Sequence, residues 1–374
     1  MAIKVTSYEP HHEALVCEFN ARMEASGSDW RFYEHAKPKW LPAGVSPRVR
    51  RDYYVAIDDD DLVRAGYCLK PEEFALRGEP IEFASIQGPV SEGLVDRAYG
   101  MLAFQLIRDM EARSPRLFVW GTSDRMMQLL NRLKWKTFPM PFLVRVVKAG
   151  RVLRNFRYGA DKPKARGILN LLASTGLGAI GFTILQAGIR FLSRPIPFPI
   201  PSVEVVEEDQ FGDWADEVWE GARVRYQLLA WRDAESMNAR LPRNAWPNAT
   251  ILRILRNAKT VGWAAIRDTQ FKDDARFGDL RVGLVVDALA LPGWEVSTVA
   301  AATGILERRG VDAIVSYFTH PIWLKAFKIS GFIMTPRNRP FQISPTMVEA
   351  IGDEAIITEG LHLTPLDGDG PLGM

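Results

Sequence analysis

The chain has 374 residues, of which 47% are hydrophobic and 25% are charged. This is the mixture of an ordinary globular protein, and it excludes a disordered, collagen-like or coiled-coil chain. Lys and Arg number 47 against 45 Asp and Glu, and the formal charge of +2 is too small for a protein that binds DNA through its overall charge. At roughly 150 residues per domain, the length predicts two or three domains.

Two cysteines, Cys17 and Cys68, exclude a disulfide framework and a Cys-rich zinc site. Each stands in an apolar run, which predicts buried free thiols in a reducing compartment. The first residues lack the apolar core of a signal peptide. These features together predict a cytoplasmic protein.

The spacing of apolar residues predicts a definite order of elements in the first half. A strand and a helix are followed by a long loop rich in Trp, Pro and Arg, then by three strands, a helix, a strand, a helix and a last strand. Ser123, or Thr122 before it, is the expected N-cap of the second of these later helices. The predicted bounds are 3–7, 11–25, 53–57, 61–69, 82–88, 94–112, 117–120, 123–134 and 142–147.

A stretch without charged residues, 168–189, comes next and has basic residues on both sides. It is long enough to cross a bilayer. Its glycines and uncharged polar residues instead favour helices that lie on an anionic membrane surface, and the alternative is a buried pair of helices between domains. A Pro-rich run, 194–201, cannot continue a helix and acts as an extended connector.

The second half repeats the layout of the first. The predicted strands are 203–206, 260–267, 281–291, 313–317 and 341–343, and the predicted helices are 211–223, 297–309 and 321–329. Ser297 is the expected cap of the middle helix. Two copies of one order indicate an internal duplication. The chain therefore divides into a first domain 1–148, a connector 149–202, a second domain 203–350 and a C-terminal tail 351–374.

Three features carry a resemblance to a known family: the stretch VSEGLVDRAYGMLAFQLI at 90–107, the helix ends NRLKWKTF at 131–138 and KAFKISGFIM at 325–334, and the duplication itself. The pattern resembles the GCN5-related N-acetyltransferase (GNAT) superfamily. The duplication is similar to the tandem GNAT domains of FemAB-like transferases, and the whole chain resembles acyltransferases of bacterial exopolysaccharide and holdfast assembly. The resemblance implies an α/β (α+β) fold of two tandem GNAT-like domains, each a mixed, mostly antiparallel sheet flanked by helices.

The resemblance also implies an acyl-CoA donor, with acetyl-CoA as the expected one. GNAT enzymes hold its diphosphate at a helix N-terminus, where unpaired N–H groups and the positive helix end attract phosphate. The family motif is Arg or Gln, two residues, Gly, one residue, then Gly or Ala, and its matching positions here are Arg97, Ala98, Tyr99 and Gly100. The chain departs from the motif at Leu102. Gly100 as a helix-packing glycine is the alternative interpretation.

The corresponding place in the second half, 292–298, has no basic residue and carries Glu295, whose charge repels phosphate. The first half is therefore the expected donor site. His11 and His12 have no Cys or carboxylate partner at ligand spacing, so no metal is expected.

Two carboxylates are candidates for the base that takes the proton from the attacking amine. Glu92 lies in a Ser-Glu-Gly turn before a helix, where an exposed carboxylate faces substrate or is simply solvated. Asp287 lies inside an apolar strand, where a carboxylate is costly unless it is paired, and such residues are often functional. The alternative for Asp287 is a structural aspartate with satisfied hydrogen bonds.

Arg232 and Asn238 follow an apolar run and are candidates for binding the acceptor. Arg232 can clamp a phosphate or carboxylate, and Asn238 can orient a polar substrate. The alternative is an ion pair between Arg232 and Asp233 on a surface helix. Aromatic residues between cations in the early loop suit a sugar-phosphate or nucleotide acceptor, or a packed lid.

The sequence thus predicts an acyltransferase that moves an acetyl group to an amino sugar or lipid-linked saccharide precursor in cell-envelope assembly. The expected location is the cytoplasm, with peripheral contact to the inner membrane. One alternative is FemAB-like aminoacyl transfer from charged tRNA. Another is a non-catalytic module with degenerate GNAT sites, whose basic run 145–166 binds a lipid headgroup or a regulatory nucleotide such as a cyclic dinucleotide.

Overall fold

The fold is described from a computed structural model of the chain, for residues 3–155, 181, 200–335 and 339–370. The predicted membrane-surface stretch at 168–189 lies, apart from Gly181, outside the described residues. Among the helices that are described, none combines the length and the apolar character needed to cross a bilayer.

The elements that the apolar spacing predicts occur in the predicted order, together with others that it did not predict, such as the strands Lys136–Met140 and Ala249–Arg256 and the helix Pro345–Ile351. The strands are β1 (Ile3–Ser7), β2 (Asp52–Asp58), β3 (Val63–Leu76), β4 (Glu79–Ser91), β5 (Leu117–Trp120), β6 (Lys136–Met140), β7 (Phe142–Val146), β8 (Glu204–Glu208), β9 (Leu228–Ala230), β10 (Ala249–Arg256), β11 (Lys259–Gln270), β12 (Arg281–Ala290), β13 (Ala313–Tyr317), β14 (Ile333–Met334), β15 (Arg339–Ile343) and β16 (Leu361–His362). The helices are α1 (Glu13–Ala25), α2 (Leu102–Arg113), α3 (Asp124–Arg132), α4 (Ala149–Asn155), α5 (Asp213–Arg223), α6 (Ala234–Arg240), α7 (Glu295–Arg308), α8 (Pro321–Ile329) and α9 (Pro345–Ile351).

The chain forms two compact units, and each takes in a segment from the other half of the sequence. Unit 1 is Met1–Pro139 with Pro340–Ile356, and unit 2 is Met140–Arg339 with Ile357–Met374. The linear division at residues 148 and 202 treats each half as continuous, whereas β7 pairs with β13 in unit 2 and β15 pairs with β5 in unit 1.

The sheet of unit 1 has the order β1-β2-β3-β4-β5-β15-β6. Its strands β1 to β4 are antiparallel neighbours, while β4 and β5 run parallel. Successive side chains of β3 alternate between two cores, as the two-residue period of a strand requires. Tyr67 and Leu69 pack with Leu106 of α2, and Cys68 between them packs with Phe19 of α1.

The sheet of unit 2 has the order β14-β7-β13-β12-β11-β10-β8, with β12 and β13 parallel. Strands β9 and β16, whose residues also belong to unit 2, pair with each other in parallel. Helix α7 lies close to β11 because residue 262 is glycine: a Cβ there would come within 2.7 Å of Thr298 Oγ1. Trp219, Trp263 and Trp323 are fully buried in this unit.

Several local predictions are confirmed. Ser123 caps α3, because its hydroxyl accepts a hydrogen bond from Met126 N at 3.3 Å. Helix α8 has the predicted bounds, with His320 as N-cap and Pro321 in its first turn, where proline fits.

Three local predictions are wrong. Helix α2 begins at Leu102 and not at residue 94, because two 3-10 turns, Glu92–Leu94 and Arg97–Tyr99, come first. Helix α7 begins at Glu295, so Ser297 lies inside it and is no cap. Cys17 is exposed on α1, although Cys68 is buried and both thiols are free.

Candidate active site

The parallel strands of unit 1 part soon after they meet. Only Ala84 with Leu117 and Ser85 with Phe118 are paired across β4 and β5, and β4 then runs on to Ser91. Ligands of sheets with parallel strands bind beyond the carboxyl ends of those strands. The turn that leads from β4 into α2 therefore lies at the edge of the sheet where a donor is expected.

The N-terminus of α2 is open to an anion. No side chain caps it, and its first turn contains no acidic residue. Met101, at the N-cap position, is 68% exposed, and Arg97 just before it is also exposed. Uncapped N–H groups and the positive end of the helix dipole attract phosphate oxygens.

The motif residues themselves lie in the 3-10 turn before α2. Ala98 N donates to Asp96 Oδ1 at 2.9 Å, and Gly100 N donates to Arg97 O at 3.0 Å. The guanidinium of Arg64 lies 4.7 Å from the ring of Tyr99. The amides of Ala98 and Gly100 are thus used within the turn. In the first turn of α2 the amides of Phe104 and Gln105 donate to Met101 O, which leaves the amides of Leu102 and Ala103 to face a ligand. That Arg97, Ala98, Tyr99 and Gly100 contact a diphosphate stays a prediction.

Leu102 explains the departure from the family motif. Its side chain is 2% exposed and packs in the core between α2 and the sheet. The large side chain therefore points away from the helix N-terminus and leaves the approach to that terminus open.

Glu92 is buried, although the sequence favoured an exposed carboxylate. One oxygen accepts from Arg22 Nε at 3.1 Å and the other from Arg64 Nη1 at 2.9 Å. Arg64 also donates to Asp58 at 2.6 Å. These ion pairs tie the turn before α2 to α1 and β3. Glu92 thereby positions the loop that precedes the helix, and its role as a base stays a prediction.

The equivalent helix start in unit 2 is closed to anions. Glu295 is 5% exposed in the first turn of α7. Its Oε2 accepts from Gly293 N at 3.0 Å, and its Oε1 pairs with Arg225 at 2.6 Å. A fixed carboxylate already occupies the place that a phosphate needs.

The gap between the parallel strands of unit 2 is also occupied. Strands β12 and β13 pair only from Val282–Leu284 to Ala313–Val315. Beyond that point Leu363 N donates to Thr319 Oγ1 at 2.8 Å, and His362 Nε2 lies 3.3 Å from Ala288 O. The segment around β16 thus bridges the two diverging strands.

Asp287 belongs to a fully buried ion-pair network in unit 2. Both of its oxygens accept from Arg232 Nε, at 3.1 and 3.3 Å. Arg232 also donates to Asp367 at 2.7 Å, and Arg240 donates to the other oxygen of Asp367 at 3.1 Å. Two guanidinium groups and two carboxylates cancel in charge, which is the arrangement that buried ions require.

Burial and the ion pairs act in opposite directions on the pKa values of Asp287 and Arg232. Burial, with a contribution from Asp367, raises the pKa of Asp287 to about 6 even though Arg232 opposes the shift. For Arg232, burial lowers the pKa and the two carboxylates raise it, and the carboxylates prevail. The geometry favours the structural alternative for Asp287, and its role as a base stays a prediction.

The predicted acceptor residues also have internal partners. Arg232 does not pair with Asp233, which instead caps α6 by accepting from Ser236 N at 2.8 Å. Asn238 accepts from Phe211 N and donates to Phe211 O, each at 2.8 Å. The contacts hold the chain before α5 in place, so acceptor binding by Arg232 and Asn238 stays a prediction.

The sequence interpretation missed Asp367 and His362, because it treated 351–374 as a tail. One signal was present: Thr364 to Asp367 has the spacing of a capping box, and the structure contains that box. Within the described part of the chain, no cluster of three His, Cys, Asp or Glu residues is arranged to hold a metal ion.

The sequence matches no protein-family model and no curated protein. In fold it is similar to a GCN5-related N-acetyltransferase from Anabaena variabilis ATCC 29413, with a TM-score of 0.51, 10% identity, and 91% of this chain and 72% of that one covered. It is also similar to a probable N-acyltransferase from Enterococcus faecalis V583, with a TM-score of 0.50, 9% identity, and coverage of 91% and 72%. A third similar structure is Saccharomyces cerevisiae N-myristoyltransferase with bound myristoyl-CoA. Its TM-score is 0.50 and its identity 9%, and the match covers 91% of this chain and 79% of that one.

At identities this low, the likenesses show the fold alone. The predicted fold class is confirmed: the chain consists of two GNAT-like domains, each a mixed sheet flanked by helices.

Proposed function

We propose that the chain is an acyl-CoA-dependent N-acyltransferase whose donor binds to unit 1. The observation that carries this proposal is the contrast between two equivalent helix starts. The N-terminus of α2 has no cap and no acid, and Arg97 lies exposed just before it. The N-terminus of α7 holds the buried carboxylate of Glu295.

The residues of unit 1 fit the diphosphate of an acyl-CoA. The first-turn amides of α2 supply N–H donors, and the guanidinium of Arg97 supplies a cation. Leu102 seats the helix in the core, and Glu92 fixes the preceding turn through Arg22 and Arg64. The bound donor supplies an acyl thioester, which an amine attacks directly.

For the acceptor we propose an amino sugar or a lipid-linked saccharide precursor of the bacterial cell envelope. The loop between α1 and β2 supports this choice, because it holds aromatic rings next to cations; the rings of Trp30 and Tyr33 are exposed, whereas that of Trp40 is buried. Trp30 is 61% exposed, and the guanidinium of Arg51 lies 5.1 Å from the ring centres of Tyr33 and Trp40. Aromatic faces beside cations suit a sugar that carries phosphate. The link to exopolysaccharide assembly and to the membrane rests on the sequence resemblance.

Titration calorimetry with acetyl-CoA tests the donor site. We expect Arg97→Ala to weaken binding roughly tenfold or more, since a hydrogen bond from a charged group contributes about 1.5–3 kcal/mol. Arg125→Ala is the matched control, because Arg125 is an exposed arginine on α3 of the same unit. Absence of binding by the wild-type protein to acetyl-CoA and to longer acyl-CoAs would contradict the proposal.

A second candidate function is a non-catalytic binding module. The observation that favours it is that Glu92 and Asp287 are both held in ion pairs. Release of the CoA thiol in the presence of amino sugars separates the candidates. A protein that binds acyl-CoA but transfers no acyl group to any amine would fit the second candidate.

A further inference from the structure

Unit 1 contains a second concave site, away from the start of α2. It is a cavity of about 390 Å³ where the later part of α2, the end of α3 and the start of α9 meet. Its lining consists of Arg108, Glu111, Pro115, Arg132, Leu133, Lys134, Pro345 and Thr346. Its lining residues on α2, Arg108 and Glu111, come after Leu102 by six and nine residues, so the cavity lies roughly 9–14 Å along the helix from the expected donor site.

The charge of this cavity is positive. Three of its side chains are cations and one, Glu111, is an acid. Glu111 accepts from Trp135 Nε1 at 3.1 Å and lies 3.9 Å from Arg108. Among the residues that the structure describes, Arg132 and Lys134 have no ion-pair partner. The cavity therefore offers uncompensated positive charge to a ligand.

The backbone conformation at Lys134 is unfavourable for a lysine. Its φ is +64°, in the left-handed region that favours glycine. Lys134 N donates to Asn131 O, and Trp135 N donates to Leu130 O.

Unit 2 contains the same turn after α8, with glycine at the corresponding position. There Gly331 N donates to Lys328 O, Phe332 N donates to Phe327 O, and Gly331 has a φ of +87°. Glycine thus fits this turn without strain, and unit 1 has a lysine instead. Residues kept in strained conformations cluster at functional sites.

We propose that this cavity binds the phosphate group of a small molecule, with Lys134, Arg132 and Arg108 as its cationic ligands. Guanidinium and ammonium groups are common ligands of phosphate in proteins. The volume falls within the usual range of ligand pockets, about 300–1,000 Å³. The proposal does not depend on the identity of the acyl donor.

The variant Lys134→Gly separates binding from stability. Glycine relieves the strained φ, so we expect its thermal unfolding midpoint to rise by about 2–4 °C. We expect its affinity for inorganic pyrophosphate, measured by calorimetry, to fall roughly tenfold. Both proteins carry Arg97→Ala, so that binding at the start of α2 is weakened equally in both, and Arg125→Ala in that background is the control. If Lys134 has only a structural role, its replacement by glycine would leave the affinity for pyrophosphate unchanged.

Two outcomes would overturn the proposal: no binding of pyrophosphate by the parent protein, or equal affinities of parent and Lys134→Gly. Vesicles of phosphatidylcholine with phosphatidylglycerol form a second arm. If the parent protein sediments with the vesicles and Lys134→Gly does not, the phosphate belongs to a lipid headgroup. If the parent protein binds pyrophosphate but not the vesicles, the phosphate belongs to a soluble molecule. Acetyl-CoA binding by Lys134→Gly with Arg97 intact reports separately on the proposed donor site.

Discussion

Two buried histidines in unit 2 are held without a proton. Burial, followed by the charge of Arg225, lowers the pKa of His320 to about 4. Burial, followed by the charge of Arg232, lowers the pKa of His362 well below its ordinary range. Both rings lie within about 5 Å of the ring of Tyr226. In the unfolded chain both histidines regain an ordinary pKa near 6.5.

This difference predicts a loss of stability in acid. Because the folded-state pKa lies below the unfolded one, the stabilisation is complete above about pH 6.5 and is lost as the pH falls towards 4, at about 1.4 kcal/mol per pH unit for each histidine. His320→Asn retains an acceptor for Ile322 N but does not titrate. We expect its unfolding midpoint in urea to fall less steeply than that of the wild type between pH 7 and 4.5. If the midpoints of His320→Asn and of the wild type fall equally with pH, His320 does not contribute to the loss of stability in acid.

At the scale of elements, the segment around β16 stabilises unit 2 through Asp367. This carboxylate is fully buried, accepts from Arg232 and Arg240, and closes the capping box with Thr364. Removal of one partner from a buried ion pair leaves a charge without compensation, which costs more than the pair itself contributes.

We therefore expect Asp367→Asn to reduce the free energy of unfolding by about 3–5 kcal/mol in urea titrations. Glu359→Gln is the matched control, because Glu359 is an exposed acid of the same segment and should change stability by less than about 0.5 kcal/mol. Equal effects of the two substitutions would mean that the network does not hold the segment in place.

Local chemistry decides which elements the sequence could reveal. The spacing of apolar residues and an N-cap residue predicted the bounds of α3 and α8 almost to the residue, because both signals are local in the sequence. The turn between β10 and β11 lacks the Asn-Gly pair that usually marks a hairpin in a sequence. Asn257 and Ala258 occupy it instead, with φ values of +50° and +61°. Without the glycine, β10 was not predicted.

At the scale of the whole chain, the sequence indicated the duplication but not which sheet each strand joins. The alternation in β7 and β15 specifies a strand and a buried face, and it contains nothing about the neighbouring strand. The partners of Asp287 could not be identified for the same reason. Burial of a carboxylate demands a cation, but Arg232 is 55 residues away in sequence and Asp367 comes 135 residues after Arg232.

The two units differ in what the same fold leaves accessible. Unit 1 keeps an uncapped helix start beside Arg97, and unit 2 fills the equivalent place with Glu295 and bridges its diverging strands with the segment around β16. The duplicated architecture thus leaves one helix start open, and this is where we propose that the donor binds. In the other copy, the equivalent positions hold the unit together.

Hydrogen exchange of the full chain with and without acetyl-CoA, read by mass spectrometry, tests this central claim most directly. Backbone amides that hydrogen-bond a diphosphate exchange more slowly. We expect acetyl-CoA to protect peptides that cover residues 97–105 and to leave those that cover 291–298 unchanged. Protection at the start of α7 instead, or at neither helix start, would contradict the account.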